Sequence, residues 1–308
     1  MILLCGIPSE SPIALVREQL DSLQIPYVIF NQRCFEAIEL EFQVAAGEVT
    51  GNLWIAGQHH RLENFQGIYT RLMEYQLLPE LEHEPPNSPQ RQQCQRLHDA
   101  LTQWYEIAPA RVVNRTGPMG SNFSKPYQTQ LIQAEGFAIP ETLITNDPDL
   151  AREFYNRHDR VIYKSISGVR SIVQVLTESD LKRLEQIRWC PTQFQEFVAG
   201  TNVRVHVVGQ EVFATAVHSQ AVDYRYASLQ VGESAELVET ELSPELAQRC
   251  VQLAQTLGLA FAGIDLKVTP EGQIFCFEVN PSPAFSYYEL NTTQAISRSL
   301  ARYLAGLT

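Results

Sequence analysis

Apolar residues recur along this chain with two periods, one close to a helical turn and one alternating. Residues 2–5 form a short apolar run that stops at Gly6-Ile7-Pro8. Ser11 and Pro12 then read as the N-cap and first position of a helix, with apolar residues at Ile13, Val16, Leu20 and Leu23. Residues 25–30 are a second apolar run. Strand, helix and strand in that order predict a small α/β unit with parallel strands. Further strands are expected at 49–55 and 67–72, and a polar, proline-rich loop at 79–89. Ser88-Pro89 opens a long helix with Leu97, Leu101, Trp104 and Tyr105 on one side, and residues 112–114 close this first domain.

A new unit begins near Thr116. Ser124-Lys125-Pro126 is a helix start, and the stripe through Tyr127, Leu131 and Ile132 ends at Gly136, a suitable helix stop. Strands are expected at 140–145 and 160–165, the latter paired with 172–176 as a hairpin. A helix over 177–187 and a short strand at 194–198 follow. Residues 202–208 and 211–218 flank a Gly209-Gln210 turn. Ser243-Pro244-Glu245 caps a helix with Leu246, Cys250, Leu253 and Leu257 on one face, and Gly258 stops it. The pattern predicts α/β architecture, α+β in the C-terminal part, divided into residues 1–115, 116–192 and 193–308.

Residues 261–281 carry the densest chemistry. Two alternating stretches flank Glu271-Gly272. If those two residues form the hairpin loop, Ile264 faces Val279, Leu266 faces Phe277 and Val268 faces Phe275. That face is apolar and is expected to be core. The other face sets Asp265 opposite Glu278, with Asn280 on the same side. At about 5 Å and an effective dielectric of about 20, the two carboxylates repel by roughly 3 kcal/mol. A divalent cation with oxygen ligands reverses that sign, and Asp, Glu and Asn with open positions suit Mg²⁺. The plain alternative is a solvated pair, or one neutralised by Lys267 on the same face.

Composition sharpens this picture. The chain has 308 residues, 44% hydrophobic and 19% charged, with a net charge of −12. Such a charge disfavours nucleic acid and anionic membrane surfaces as partners. Six cysteines without close spacing disfavour a zinc or disulfide framework. No basic leader and no long apolar stretch are present, so a cytoplasmic protein is expected. Only four of the 23 basic residues are lysines: Lys125, Lys164, Lys182 and Lys267. Lys164 ends an apolar strand before a small-residue loop, a placement suited to nucleotide phosphates. Lys125 stands at a helix start, where a bound anion offsets its clash with the helix dipole. Gln195-Glu196-Phe197-Val198 could offer backbone groups to an adenine ring, although from that segment alone a plain core strand is the stronger reading. Arg204 and His206 alternate with Val203, Val205 and Val207, so both are expected to point away from the core. Arg225 follows Asp223-Tyr224 in a polar loop. Arginines facing a phosphate stabilise a transferring phosphoryl group, whereas His206 and His218 read as local hydrogen-bonding groups.

Taken in order, Ser124-Lys125, Tyr163-Lys164, Gln195 to Val198, Asn202-Val203-Arg204, Asp223-Tyr224-Arg225, Gly263 to Leu266 and Glu278 to Pro281 resemble the ATP-grasp superfamily. The nearer likeness is its RimK-like branch, which includes ribosomal-protein glutamate ligases and peptide-modifying ligases. The resemblance runs from Asn114 to the last residue. It implies an ATP-grasp fold preceded by an N-terminal parallel-sheet domain, with ATP and Mg²⁺ as cofactors. It implies that Lys125 and Lys164 contact the phosphates, and that Glu196 to Val198 hold adenine largely through backbone groups. Gln195, Asn202 and Phe277 belong to the same nucleotide site. Asp265, Glu278 and Asn280 are the implied magnesium ligands, and Arg204 and Arg225 the implied catalytic arginines facing the γ-phosphate and acyl phosphate. The implied reaction activates a carboxylate as an acyl phosphate, which an amine then attacks. Small-molecule or peptide carboxylates and amines are the expected partners, in a homodimer or homotetramer. The alternatives are a peptide-modifying enzyme forming side-chain ester or amide crosslinks, and a nucleotide-binding regulator without turnover. Two departures stand out. The loop after Lys164 has a single glycine, Gly168, beside Val169 and Arg170. The first 113 residues carry no motif that names a substrate, with Thr70-Arg71 as the one candidate contact.

Overall fold

The computed structural model describes residues 1–166, 173–219 and 235–307. In chain order its strands are β1 (Ile2–Gly6), β2 (Tyr27–Asn31), β3 (Ile38–Ala45), β4 (Glu48–Ile55), β5 (Gln58–Arg61), β6 (Gly67–Thr70), β7 (Arg111–Val113) and β8 (Thr142–Thr145). They continue with β9 (Val161–Ser165), β10 (Gln174–Val175), β11 (Thr192–Glu196), β12 (Thr201–Val208), β13 (Glu211–His218), β14 (Glu236–Thr240), β15 (Phe261–Val268) and β16 (Ile274–Asn280). They form four sheets, ordered β2-β1-β6-β7, β3-β4-β5, β10-β9-β11-β8 and β14-β13-β12-β15-β16.

The first sheet is parallel throughout, as the opening strand–helix–strand pattern predicts. Strand β1 is apolar on both faces because both are covered. Leu3 and Cys5 pack toward Trp104 and Leu101 of the helix Pro89–Ile107. Ile2 and Leu4 pack toward Ile13, Val16 and Leu20 of the helix Ser11–Ser22 and toward Leu300 and Leu304 of the helix Ile296–Ala305. The last helix of the chain therefore docks against its first strand.

Several expectations need correction. Residues 49–55 are extended as expected, within a separate antiparallel sheet β3-β4-β5 that the sequence pattern does not separate from the parallel one. The helix expected over 177–187 is a short helix, Glu178–Leu181, closed by a Thr177/Asp180 capping box, and then a 3-10 segment, Leu184–Trp189. Leu181, Leu184 and Ile187 all pack on the third sheet, and their spacing of three matches a 3-10 turn better than an α-helical one. The helix Pro148–Arg157 was not foreseen, although Asp147-Pro148 is a sound start signal and the Asp147 carboxylate accepts from the Asp149 amide at 2.9 Å.

The fourth sheet carries the chemistry. One face, with Val203, Val205, Val207, Ile264, Leu266 and Val279, packs on the helix Pro244–Thr256. Strand β16 lies at its edge, and that edge is closed by two devices. The Cys276 amide donates to the Ala138 carbonyl at 2.9 Å. Gln128, on the helix Lys125–Ala134, donates its amide to the Val279 carbonyl and accepts from the Val279 N–H, both at 2.9 Å. Gln128 thus acts as one residue of a missing neighbour strand. Gln128→Leu keeps the volume and leaves both Val279 backbone groups buried without partners, so a loss of about 2–4 kcal/mol is expected in urea denaturation. A loss below about 1 kcal/mol would show that the edge is held by other groups.

Asn114 makes the second junction. Its Nδ2 donates to the Phe261 and Pro281 carbonyls at 2.6 Å each, and its Oδ1 accepts from the Ala260 and Phe261 amides. One buried amide therefore ties the end of the first sheet to the start of β15 and the end of β16.

Candidate active site

Strands β15 and β16 bring the three candidate metal ligands together. The observed pairs are Gly263–Asn280, Ile264–Val279 and Asp265–Glu278. Alternation then places Asp265, Glu278 and Asn280 on the face opposite the core. Past Asp265 the expected register fails. A β-bulge shifts the pairing, so Leu266 pairs with Cys276, Lys267 with Phe275 and Val268 with Ile274. Phe277 is the extra residue. It joins the cleft instead of facing Leu266 in the core.

The two carboxylates are not left facing each other. Arg204 donates from Nη1 to Asp265 Oδ1 at 2.6 Å, and the Lys125 ammonium lies 3.1 Å from Glu278 Oε2. Lys125 also donates to Asn122 Oδ1 at 2.7 Å. The charge balance therefore comes from Arg204 and Lys125. Lys267, the neutraliser of the plain alternative, lies instead near the Phe197 and Phe277 rings.

Arg204 occupies a built slot. It does leave the face of Val203 and Val205, but the opposite face is also covered, and the residue is only 6% exposed. Its floor is Gly263, directly beside it on β15. A Cβ there would stand 2.1 Å from Arg204 Nη2 and 2.7 Å from Pro283 Cβ. Its inner wall is His206, 0% exposed, packed edge-on to Tyr288 at 4.9 Å and stacked on Phe261. Arg204 Nε donates to His206 Nε2 at 3.4 Å. Because a guanidinium nitrogen is always a donor, the imidazole carries its proton on Nδ1.

Burial, reinforced by Arg204, pushes His206 well below its usual value near 6.5. The unfolded chain protonates this group near pH 6.5 and the folded chain does not. Stability is then full above that pH and falls below it by about 1.4 kcal/mol per pH unit. Urea denaturation across a pH series is expected to show this slope in the native chain and to lack it in His206→Gln. Equal slopes in the two proteins would remove His206 as the cause.

The cleft lies between the third and fourth sheets. Ile162 and Lys164 from β9 and Gln195 from β11 face Asn202, Arg204, Asp265, Lys267, Phe277 and Glu278 across it. Gln195 is held by Thr142 Oγ1 at 2.9 Å. At the hinge, the Glu196 and Phe197 amides donate to the Glu141 and Arg160 carbonyls, and the Glu196 carboxylate accepts from the Glu141 amide. The Val198 amide has no hydrogen bond among the described residues. Of the expected backbone donors, only Val198 is left to meet a ligand.

Asp265, Glu278 and Asn280 offer oxygen donors only, which fits a hard divalent cation. Asn280 Oδ1 accepts from the Ser282 amide at 2.8 Å, which fixes the orientation of its side chain. Arg71, the candidate contact in the first 113 residues, reaches this same segment. Its Nη1 donates to Ser282 Oγ at 3.1 Å and to the Pro283 carbonyl, and its other nitrogens hold Glu10. Arg225 with Asp223-Tyr224, and the residues Gly168, Val169 and Arg170, lie outside the described residues. Among those not singled out from the sequence, Gln128 had a signal, as a polar residue one turn before Ile132 on the buried face of its helix. His206, read from the sequence as a local hydrogen-bonding group, accepts from Arg204, and Gly263 acquires its role only once Arg204 is placed.

A family model described as a RimK-like ATP-grasp domain matches residues 124–304. The chain is 27% identical over 211 residues to a probable alpha-L-glutamate ligase of Photobacterium profundum, covering 65% of this chain and 69% of that protein. Among solved structures, a Chryseobacterium gregarium RiPP-associated ATP-grasp ligase in complex with ADP, and a leader and core peptide, aligns with a TM-score of 0.84 at 23% identity. That alignment covers 100% of this chain and 97% of the other. The ATP-grasp ligase PsnB, complexed with a phosphomimetic variant of its minimal precursor, Mg and ADP, aligns with a TM-score of 0.79 at 25% identity, covering 99% and 98%. The likeness in fold thus includes the first 115 residues, which the family model leaves out. No helix among the described residues is long and apolar enough to cross a membrane.

Proposed function

Because this chain belongs to the RimK-like ATP-grasp family and is an ATP-dependent ligase, we propose that it couples a carboxylate to an amine with release of ADP, and that the carboxylate is borne by a peptide. The γ-phosphoryl group of ATP passes to a carboxylate oxygen, forming one P–O bond as the bond to ADP breaks. The amine nitrogen then attacks the acyl carbon. Phosphate leaves, the nitrogen loses a proton, and an amide remains. The protein acts by orientation and charge stabilisation, with no covalent enzyme intermediate.

The observation that carries this reading is the shared face of Asp265, Glu278 and Arg204, opposite Lys164 across one cleft. Asp265, Glu278 and Asn280 would hold magnesium, which when bound screens the charge of the triphosphate. Lys125 and Lys164 are assigned to the phosphates, and Gln195, Val198, Asn202 and Phe277 to the rest of the nucleotide. Arg204 is assigned to the γ-phosphate and the acyl phosphate, with Arg225 as its proposed companion. His206 and Gly263 hold the Arg204 guanidinium still, which keeps the cost of reorganisation low during transfer. What supports a peptide is the full-length likeness to ligases solved with precursor, leader or core peptides.

The test is ADP release with Mg·ATP and a panel of peptides rich in Glu, Asp and Lys, with mass spectrometry of the products. Loss of one water from a peptide, stoichiometric with ADP, is the expected result. Tight Mg·ATP binding without ADP release across the panel would make the chain a nucleotide-binding regulator instead.

A further inference from the structure

We propose that Lys267 is the cleft's nucleobase residue, a cation held ready on the pocket floor to engage the base of the bound nucleotide. The inference rests on the nucleotide-site reading above. Lys267 follows Asp265 by two positions on β15, so it shares the cleft face and lies about 6–7 Å further along the strand. That displacement runs away from the Arg204 slot and toward Phe197 at the hinge. The phosphate-binding groups and the hinge thus bracket Lys267, and the base end of a nucleotide spans that interval.

The surroundings of its ammonium are unusual. Nζ lies 5.5 Å from the centroid of Phe197 and 5.6 Å from that of Phe277. It has no carboxylate partner and no hydrogen-bond acceptor among the described residues. The other cations beside the carboxylates are engaged, Lys125 with Glu278 and Arg204 with Asp265. Arg160 lies over the Phe197 ring at 3.9 Å, so a second positive charge is close. Keeping an ammonium here is unfavourable for the empty protein, and aromatic faces offset only part of that.

A ligand that brings acceptors and a π-face resolves the imbalance. A purine has both, in its ring nitrogens and its electron-rich face. The bulge at Phe277 belongs to the same arrangement, because it turns that ring from the core into the cleft beside Lys267. Phe277 then supplies an apolar wall and Lys267 a donor at its edge.

Isothermal calorimetry separates this role from a phosphate contact without any knowledge of the ligase substrate. The probes are Mg·AMPPNP, which carries a base, and magnesium tripolyphosphate, which does not. Lys267→Met is expected to weaken AMPPNP about tenfold and to leave tripolyphosphate within about twofold, while Lys267→Arg stays close to the native chain. Native-like AMPPNP affinity in Lys267→Met overturns the proposal. Equal weakening of both probes also overturns it, by making Lys267 a phosphate ligand. If the native chain binds AMPPNP but Asp265→Asn does not change its magnesium dependence, the reading of the site itself fails, independently of Lys267.

Discussion

Asp265→Asn combined with Glu278→Gln is expected to slow ADP release by on the order of 10³-fold or more. The double change removes both charged ligands from the proposed magnesium site and keeps the size of each side chain. It also exposes how the protein is balanced without the metal. Each carboxylate is held by a cation, Arg204 at 2.6 Å and Lys125 at 3.1 Å. Neutralising the pair does not relieve a repulsion between bare charges. It leaves the Arg204 guanidinium buried without its counter-ion, and the loss of one partner from such a pair is costly. The variant should therefore melt below the native chain in the absence of metal. Calorimetry with AMPPNP should show a strong magnesium dependence in the native protein and none in the variant. A variant that keeps the dependence, or that melts higher, would sink the metal assignment.

Gly263→Ala is expected to reduce ADP release by about 10²-fold, chiefly through Arg204. The added methyl would stand 2.1 Å from Arg204 Nη2. The guanidinium must leave its slot, and the contacts to Asp265 and His206 go with it. The route of the effect can be tested by a double-mutant cycle. Arg204→Ala empties the slot, so Gly263→Ala should then cost only what its contact with Pro283 Cβ, at 2.7 Å, adds. Additive losses in the double variant would show that the glycine acts through the backbone of β15 and not through the arginine.

Much of this site was legible in the sequence, and the failures have physical causes. Counting from an assumed Glu271-Gly272 loop paired Asp265 with Glu278 correctly, although the pairs nearest the turn lie one residue out of that count and the extra residue at Phe277 restores it. Phe275 and Phe277 look like core residues, whereas the true core positions of β16 are Cys276 and Val279, three apart. A cleft wall such as the Phe277 ring is itself apolar, so a hydrophobic–polar pattern takes cleft surface for core. The arginine slot was hidden for another reason. The valines of β12 place Arg204 on the far face, but no local signal shows that Tyr288 returns to lie against it. The separate sheet β3-β4-β5 was missed because its strands are largely exposed and polar, and only 49–55 is apolar enough to stand out.

The junction at Asn114 determines where this molecule can give way. Its amide fastens the end of the first sheet to β15 and β16, and the helix Ile296–Ala305 fastens the fourth sheet's continuation back onto β1. Gln128 fixes the Lys125 helix to the same block. The arginine, both carboxylates and Lys125 therefore ride together on one rigid body. Lys164 and Gln195 ride on the third sheet, joined to it through residues 140–141 and 197–200, because Phe137 to Ile139 are packed on or bonded to the fourth sheet. Any opening of the cleft would fall on those two connectors, and release of nucleotide would then part its two halves without disturbing the strands proposed to align the phosphates. Stiffening the connectors should slow the catalytic cycle at the exit step while leaving the chemistry intact.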